Sequence, residues 1–526
     1  MSASGNVAPE PVSAARAATG AAPASPGEAA GPAPAAVTAA DPARQRALVQ
    51  ALKRILPLHA LLWQPEDTRP YECDGLAMIR QTPLAVALPG TEEQVAQILK
   101  VCRELEIPVV ARGAGTGLSG GATPHGQGLL LGMAKFNRIL SIDPVARTAV
   151  VQPGVRNLAI SEAVARHGLY YAPDPSSQIA CTIGGNVAEN SGGVHCLKYG
   201  LTVHNVLALR ALTIEGEVLE LGSTAPDTPG LDLLSLLIGS EGMLAVVTEV
   251  TVKLVPRPSR AQVVMASFAD VARAGDAVAA IIAAGIIPAG LEMMDQPATR
   301  AVEPFANAGY DLDAAAILLA EADGTPEEVA AEIAAMEQIL RAAGATRLQV
   351  SRDEAERLRF WAGRKNAFPA AGRISPDYYC MDGTIPRKRV GEVLTAIAAM
   401  EHQYRLRCMN VFHAGDGNLH PLILFDANDP DELARAEAFG AAILELSIAV
   451  GGTVTGEHGV GIEKINQMCS QFSRPELDAF TAVKHAFDPP GLLNPEKVIP
   501  TLHRCAEYGR MKVHGGQLPH ADLERF

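Results

Sequence analysis

Apolar positions along this chain change their period several times, and the changes mark its elements. Between residues 83 and 256 short apolar runs alternate with helical patterns. Leu84-Ala85-Val86-Ala87-Leu88 reads as a buried strand, and Thr91-Glu92-Glu93-Gln94 is a capping box that opens a helix over 91–105. Ile107-Pro108-Val109-Val110 is a second buried strand. Residues 148–155 and 207–221 supply further strands, the latter broken by a turn at Glu215-Gly216. From Ala261 the order is strand 261–268, helix 270–284, strand 289–295, strand 314–322, helix 325–343 and strand 346–351. That is β-α-β-β-α-β, the ferredoxin-like order. Its second helix has a clear start, with Thr325 as N-cap, Pro326 at the first helical position and Glu328 at the third. Asp41-Pro42 opens another capped helix. The expected fold class is α+β, with the ferredoxin-like unit followed by a C-terminal helical segment.

Composition bounds this picture. The chain has 526 residues, room for two or three cores. Its net charge of −14 and lack of a basic, aromatic-laced stripe argue against nucleic acid as a partner. No apolar run approaches the roughly 20 residues that cross a bilayer, so membrane contact is expected only through partners. The eight cysteines include no C-x-x-C pair, which argues against an iron–sulfur cluster held by this chain and suits reduced thiols in a cytoplasmic protein. Residues 1–40 are mostly Ala, Pro, Gly and Ser without a basic-then-apolar leader, and read as a disordered tail.

Three glycine-rich stretches carry the first chemistry. Arg112-Gly113-Ala114-Gly115-Thr116-Gly117-Leu118-Ser119-Gly120-Gly121 follows a strand. Five glycines in nine residues cost backbone entropy, which makes sense where a backbone must approach something closely. Successive N–H groups in such a loop form a concavity for an anion such as a pyrophosphate. No Gly-Lys-Ser/Thr follows, and residue 118 is Leu, so neither the Walker A nor the Rossmann pattern is met. Taken alone, a tight turn explains such a loop equally well. The second stretch runs from Pro173-Asp174 through Thr182-Ile183-Gly184-Gly185-Asn186 to Gly192-Gly193, and the third is Glu241-Gly242 with Val247. Together the three resemble the FAD-binding domain of the vanillyl-alcohol oxidase/p-cresol methylhydroxylase superfamily. The resemblance implies a PCMH-type FAD domain over 41–257, with these loops and Asn494 as cofactor contacts. In covalently flavinylated relatives a His follows the first loop's glycine pair. Thr116 stands there, so the resemblance implies non-covalent FAD.

The second chemistry lies in residues 258–500. Phe412-His413-Ala414-Gly415-Asp416-Gly417-Asn418-Leu419-His420 places two imidazoles around a turn, and Thr455-Gly456-Glu457-His458-Gly459 adds a carboxylate and a third imidazole. Such a donor set suits an open site for Zn, Mn or Fe, although any one of these histidines is also explained by local hydrogen bonding. Both stretches resemble FAD-linked D-2-hydroxy-acid dehydrogenases. The resemblance implies His413, His420 and Glu457 as metal ligands, Asn418 beside the substrate and His458 as general base. It also implies that the Trp361-x-x-Arg364 segment supplies the substrate's carboxylate clamp. The substrate would be a small 2-hydroxy acid, glycolate or D-lactate, oxidised by hydride transfer to flavin. The tail 501–526 is similar to that of the flavin subunits of bacterial glycolate oxidases. This similarity implies two partners, a second flavin-domain subunit and an iron–sulfur subunit. A stand-alone D-lactate dehydrogenase and a non-catalytic flavin-binding assembly subunit remain open at this point.

Overall fold

The computed structural model describes residues 41–225 and 230–501. The expectations for 1–40 and for 502–526 lie outside the described residues. The first helix, Pro42–Leu52, starts where expected, with the Asp41 side chain accepting from the Ala43 N–H at 2.8 Å. A cap of this kind is worth about 1 kcal/mol.

Two sheets build the N-terminal half. The first has the order Leu61–Leu62, Ala85–Ala87, Leu129–Gly132, Val109–Arg112, and its last two pairings are parallel. Its inner strands are apolar on both faces: Ala85, Ala87, Leu129 and Leu131 pack with the helix Glu92–Glu104, and Val86, Val110 and Leu130 pack with Leu62, Tyr71 and Leu88. The glycine loop leaves the carboxyl end of Val109–Arg112, the end at which parallel sheets present ligand sites. The second sheet is antiparallel, in the order Ile139–Asp143, Thr148–Val151, Val246–Lys253, Val206–Leu212, Val218–Gly222. Val246–Lys253 alternates buried and half-buried positions along its length, the period of a strand packed on one face.

A seven-stranded antiparallel sheet builds the other half. Its order is Arg347–Val350, Arg260–Phe268, Ala316–Gly324, Gly290–Asp295, Arg407–His413, Asn418–Phe425, Asp377–Cys380. The first four strands are the expected ferredoxin-like unit. The last three come from the segment expected to be helical, and they extend the same sheet past Gly290–Asp295. Their pattern hid them because both sheet faces are covered. Phe412, Leu419 and Ile423 pack into the core on one face, while Met409, Val411, Leu422 and Leu424 pack on the other. A strand buried on both sides shows no polar alternation to read.

The period of two has a second consequence. Val411, Leu422 and Leu424 share their face with Met294, Ile317 and Leu319. Residues two positions away on the same strands must share that face. Glu292, Glu321, His413, Asn418, His420 and Cys380 therefore form a polar island within an apolar sheet surface.

Candidate active site

A cavity of about 410 Å³ runs along the three glycine loops and ends against this island. Residues 111–118, Thr182, Gly184, Gly185, Asn186, Glu241, Gly242 and Val247 line most of it, and His420, Glu457 and His458 line one end together with Lys365, Phe368 and Tyr378. The loops are shaped by glycine where no side chain fits. A Cβ on Gly113 would lie 2.2 Å from Thr182 Oγ1, and Gly115, at φ +69°, would drive one 2.2 Å from Arg112 Nη2. Arg112 packs against Gly115 and is held there by its Nη1, which donates to the Cys73 carbonyl at 2.6 Å.

At the far end three imidazoles surround one carboxylate oxygen. Glu457 Oε1 lies 3.0 Å from His420 Nε2, 3.3 Å from His413 Nε2 and 3.6 Å from His458 Nε2. Glu292 Oε1 holds His413 Nδ1 at 2.6 Å. Nδ1 donates to that carboxylate and Nε2 is aimed at Glu457, the arrangement that orients a metal-binding histidine. Burial alone would lower the His413 pKa. The carboxylates of Glu292 and Glu457 outweigh it and hold His413 well above its ordinary value. A proton there balances charge that a cation would otherwise balance. For His458 burial dominates and pushes the imidazole down to about 4, so it is neutral at pH 7. Its Nδ1 is buried and has no hydrogen-bond partner.

The loop carrying Glu457 and His458 is held by two buried carboxylates. Asp382 accepts from Thr455 Oγ1, from the Gly456 and Glu457 N–H groups at 3.2 Å each, from the His458 N–H at 3.0 Å and from Lys464 Nζ at 3.1 Å. Glu241 accepts from the Val460 and Gly461 N–H groups at 2.6 and 2.8 Å. Ser119 adds a third hold, donating from Oγ to the His458 carbonyl at 2.8 Å. Beside Glu241, burial and the Glu241 and Asp74 carboxylates push the Glu189 carboxyl well above its ordinary value, and its side chain lines the cavity.

Several residues expected at the site stand elsewhere. Arg364 is fully buried and does not line the cavity; its Nε donates to Glu292 Oε2 at 2.8 Å. It braces the carboxylate that orients His413, and its neighbour Lys365 is on the wall at this end. Asn418 is buried beneath Gly456, whose Cβ would meet Asn418 Cγ at 2.5 Å, and it too is off the wall. Ser119, Pro173, Asp174, Gly192, Gly193 and Asn494 are not on the cavity wall but pack behind it. Pro173 accepts from Asn157 Nδ2, and Asp174 Oδ2 holds His195 Nδ1 at 2.7 Å. Gly192 lies under Glu457, Gly193 passes against Asp174, and Asn494 Nδ2 ties the Gly121 and Glu241 carbonyls at 3.0 and 2.6 Å. Sequence reasoning missed Glu292, Asp382, Glu189 and Lys464. A carboxylate inside an apolar strand run, as in Leu291-Glu292-Met293-Met294, was the available signal for Glu292.

Known proteins match this architecture in both halves. The family described as "FAD binding domain" matches residues 83–222, and the family described as "FAD linked oxidases, C-terminal domain" matches residues 257–498. The chain belongs to the FAD-linked oxidase family. It is 64% identical to the glycolate oxidase subunit GlcD of Escherichia coli K12, over 91% of this chain and 96% of that protein. It is 31% identical to a D-lactate dehydrogenase of Anaerostipes hadrus, over 86% of this chain and 97% of that one. Among solved structures it is similar to p-cresol methylhydroxylase with substrate bound, at a TM-score of 0.75 and 17% identity, covering 88% of this chain and 98% of the other. That last likeness is one of fold.

FAD is therefore the cofactor of this oxidase, and the cavity fits it. Thr182 Oγ1 and Glu189 Oε2 are buried polar atoms without protein partners, both belonging to residues on the cavity wall. The glycines leave the backbone bare where a flavin nucleotide would lie along it. Gly113→Val is expected to lose FAD, because its side chain must displace Thr182. The flavin-to-protein absorbance ratio of the purified variant checks this, and wild-type occupancy would contradict it.

Proposed function

We propose that this FAD-linked oxidase removes two electrons and two protons from a small 2-hydroxy acid, glycolate first and D-lactate second, to give the 2-oxo acid. The observation that carries the reading is the meeting of His420, Glu457 and His458 at one end of the flavin cavity. When bound, FAD supplies the hydride acceptor, and a divalent cation at His413, His420 and Glu457 supplies Lewis acidity toward the hydroxyl oxygen. The donor set supports such a cation: two nitrogens and one carboxylate oxygen lie within 4.8 Å of one another, with Zn, Mn and Fe all compatible.

The chain's own residues do the rest. His458, neutral and with Nδ1 unpartnered, takes the hydroxyl proton. Asp382 and Ser119 fix its backbone, and Glu292, braced by Arg364, fixes His413. Lys365 on the wall and Arg364 behind it bring positive charge to the end where the substrate's carboxylate arrives. Phe368 and Tyr378 wall the same end and limit its water. Thr116 lines the cavity in place of a flavin-linking histidine, so FAD is held without a covalent bond, and acid should release it from the protein.

Greater similarity to the glycolate oxidase subunit than to the D-lactate dehydrogenase favours glycolate and a multi-subunit assembly. In that assembly electrons pass to a second flavin-domain subunit and an iron–sulfur subunit. Among the described residues no helix is long and apolar enough to cross a membrane, which suits a cytoplasmic protein reaching the membrane through partners. The His/His/Glu set and His458 are all present, which disfavours a non-catalytic assembly subunit. The test is dye reduction by the chain alone and with co-expressed partners, using glycolate, D-lactate and L-lactate, on protein of measured metal content. Glycolate should give the highest kcat/KM, with about one divalent ion per chain. Equal activity after exhaustive chelation, with no ion detected, would refute the metal; preference for D-lactate by a chain that purifies alone would favour the stand-alone dehydrogenase.

A further inference from the structure

A second set of donors meets at the same end of the cavity. The strand register places Cys380 opposite Leu422, so its side chain shares a face with His420 two residues away. The Cys380 sulfur and one ring nitrogen each from His420 and His458 lie within 4.8 Å of one another. Cys380 and His420 are buried, and His458 Nδ1 is buried without a hydrogen-bond partner. The Cys380 sulfur has only a weak contact of its own, 3.4 Å to the Met381 carbonyl.

We infer that Cys380, His420 and His458 form a site for a thiophilic divalent cation, distinct from the His413/His420/Glu457 set and in competition with it. Chemistry separates the two. One sulfur and two imidazoles select soft and borderline ions, whereas two imidazoles and a carboxylate also accept harder ones. His420 belongs to both, and a neutral imidazole has one lone pair to give, so the two positions fill one at a time. Binding breaks the Cys380 S–H bond, forms a sulfur–metal bond and releases the proton to solvent, with no change of oxidation state. Occupation also consumes the His458 lone pair. On the reading that His458 accepts the substrate's proton, the site is inhibitory, and a cation that enters it silences the enzyme.

Cadmium is the probe. FAD-loaded enzyme, first stripped with chelator, is titrated with Cd²⁺ while the ultraviolet thiolate-to-metal charge-transfer band is followed. The wild type should develop the band with a stoichiometry near one and lose glycolate-dependent dye reduction in step with it. Cys380→Ser, checked for an unchanged flavin spectrum, should lack the band. It should also need at least roughly tenfold more Cd²⁺ for the same inhibition, the lower end of what even an outer ligand-sphere partner contributes to affinity. Should that variant fail to fold, cadmium NMR of the wild type reports directly whether sulfur is among the ligands. An equal band in Cys380→Ser, or a cadmium resonance showing only nitrogen and oxygen ligands, would overturn the site. A full band with undiminished turnover would uphold the site and refute His458 as proton acceptor.

Discussion

His458→Asn is expected to lower the rate of flavin reduction by glycolate by roughly 10²–10⁴-fold, the usual contribution of a general base, while FAD stays bound. The asparagine side chain is nearly as polar but cannot take a proton. The glycine-rich loops that line most of the cavity lie elsewhere in the chain, and the His458 backbone stays fixed by its N–H to Asp382 and its carbonyl to Ser119. The loss should therefore fall on kcat rather than on cofactor content. Stopped-flow flavin reduction at saturating glycolate measures it, and a rate within a few fold of wild type would assign the proton transfer to another group.

Asp382→Asn is expected to cost stability as well as activity. The substitution is nearly isosteric, yet the carboxylate accepts from a hydroxyl, backbone N–H groups and Lys464 Nζ, and an amide NH₂ would face donors. Lys464 is fully buried, and breaking a buried ion pair from one side costs about 3–5 kcal/mol. Burial by itself would raise the Asp382 pKa. Lys464 beside it outweighs burial and sets the folded value below the ordinary one. A depressed folded pKa means stability that is fully present above the unfolded value, near 3.9, and lost as pH falls toward the folded one. The wild type should therefore lose stability in acid more steeply than the variant, and its denaturation midpoint at neutral pH should be clearly higher. Matching midpoints at pH 7 would remove Asp382 from its role as the organiser of the 455–458 loop.

Much of the fold was legible in the sequence, and particular residues explain why. Thr325, Pro326 and Glu328 start a helix by local chemistry alone, and the apolar runs at 84–88 and 107–110 mark buried strands. The strands Arg407–His413 and Asn418–Phe425 were not legible, because burial on both faces erases the period. At the site, His413, His420, Glu457 and His458 stood out as titratable groups in glycine-bounded turns, and the fold brings them together. Sequence cannot say which way a guanidinium points: the Nε of Arg364 donates to a buried Glu292, 72 positions away in the chain. Glu292 acts across the sheet on His413, and Asp382 acts on the 455–458 loop; these partners, far away in the chain, are what the sequence does not show.

On the function proposed above, a 2-hydroxy acid delivers its electrons to FAD at the His458 end of the cavity. The most direct measurement is an anaerobic titration of the purified, FAD-loaded chain with glycolate, following the visible flavin absorbance without any dye or partner. Glycolate should bleach the oxidised flavin of the wild type within one turnover, and His458→Asn should bleach far more slowly at equal FAD content. A flavin that dithionite reduces but that neither glycolate nor D-lactate bleaches would contradict it.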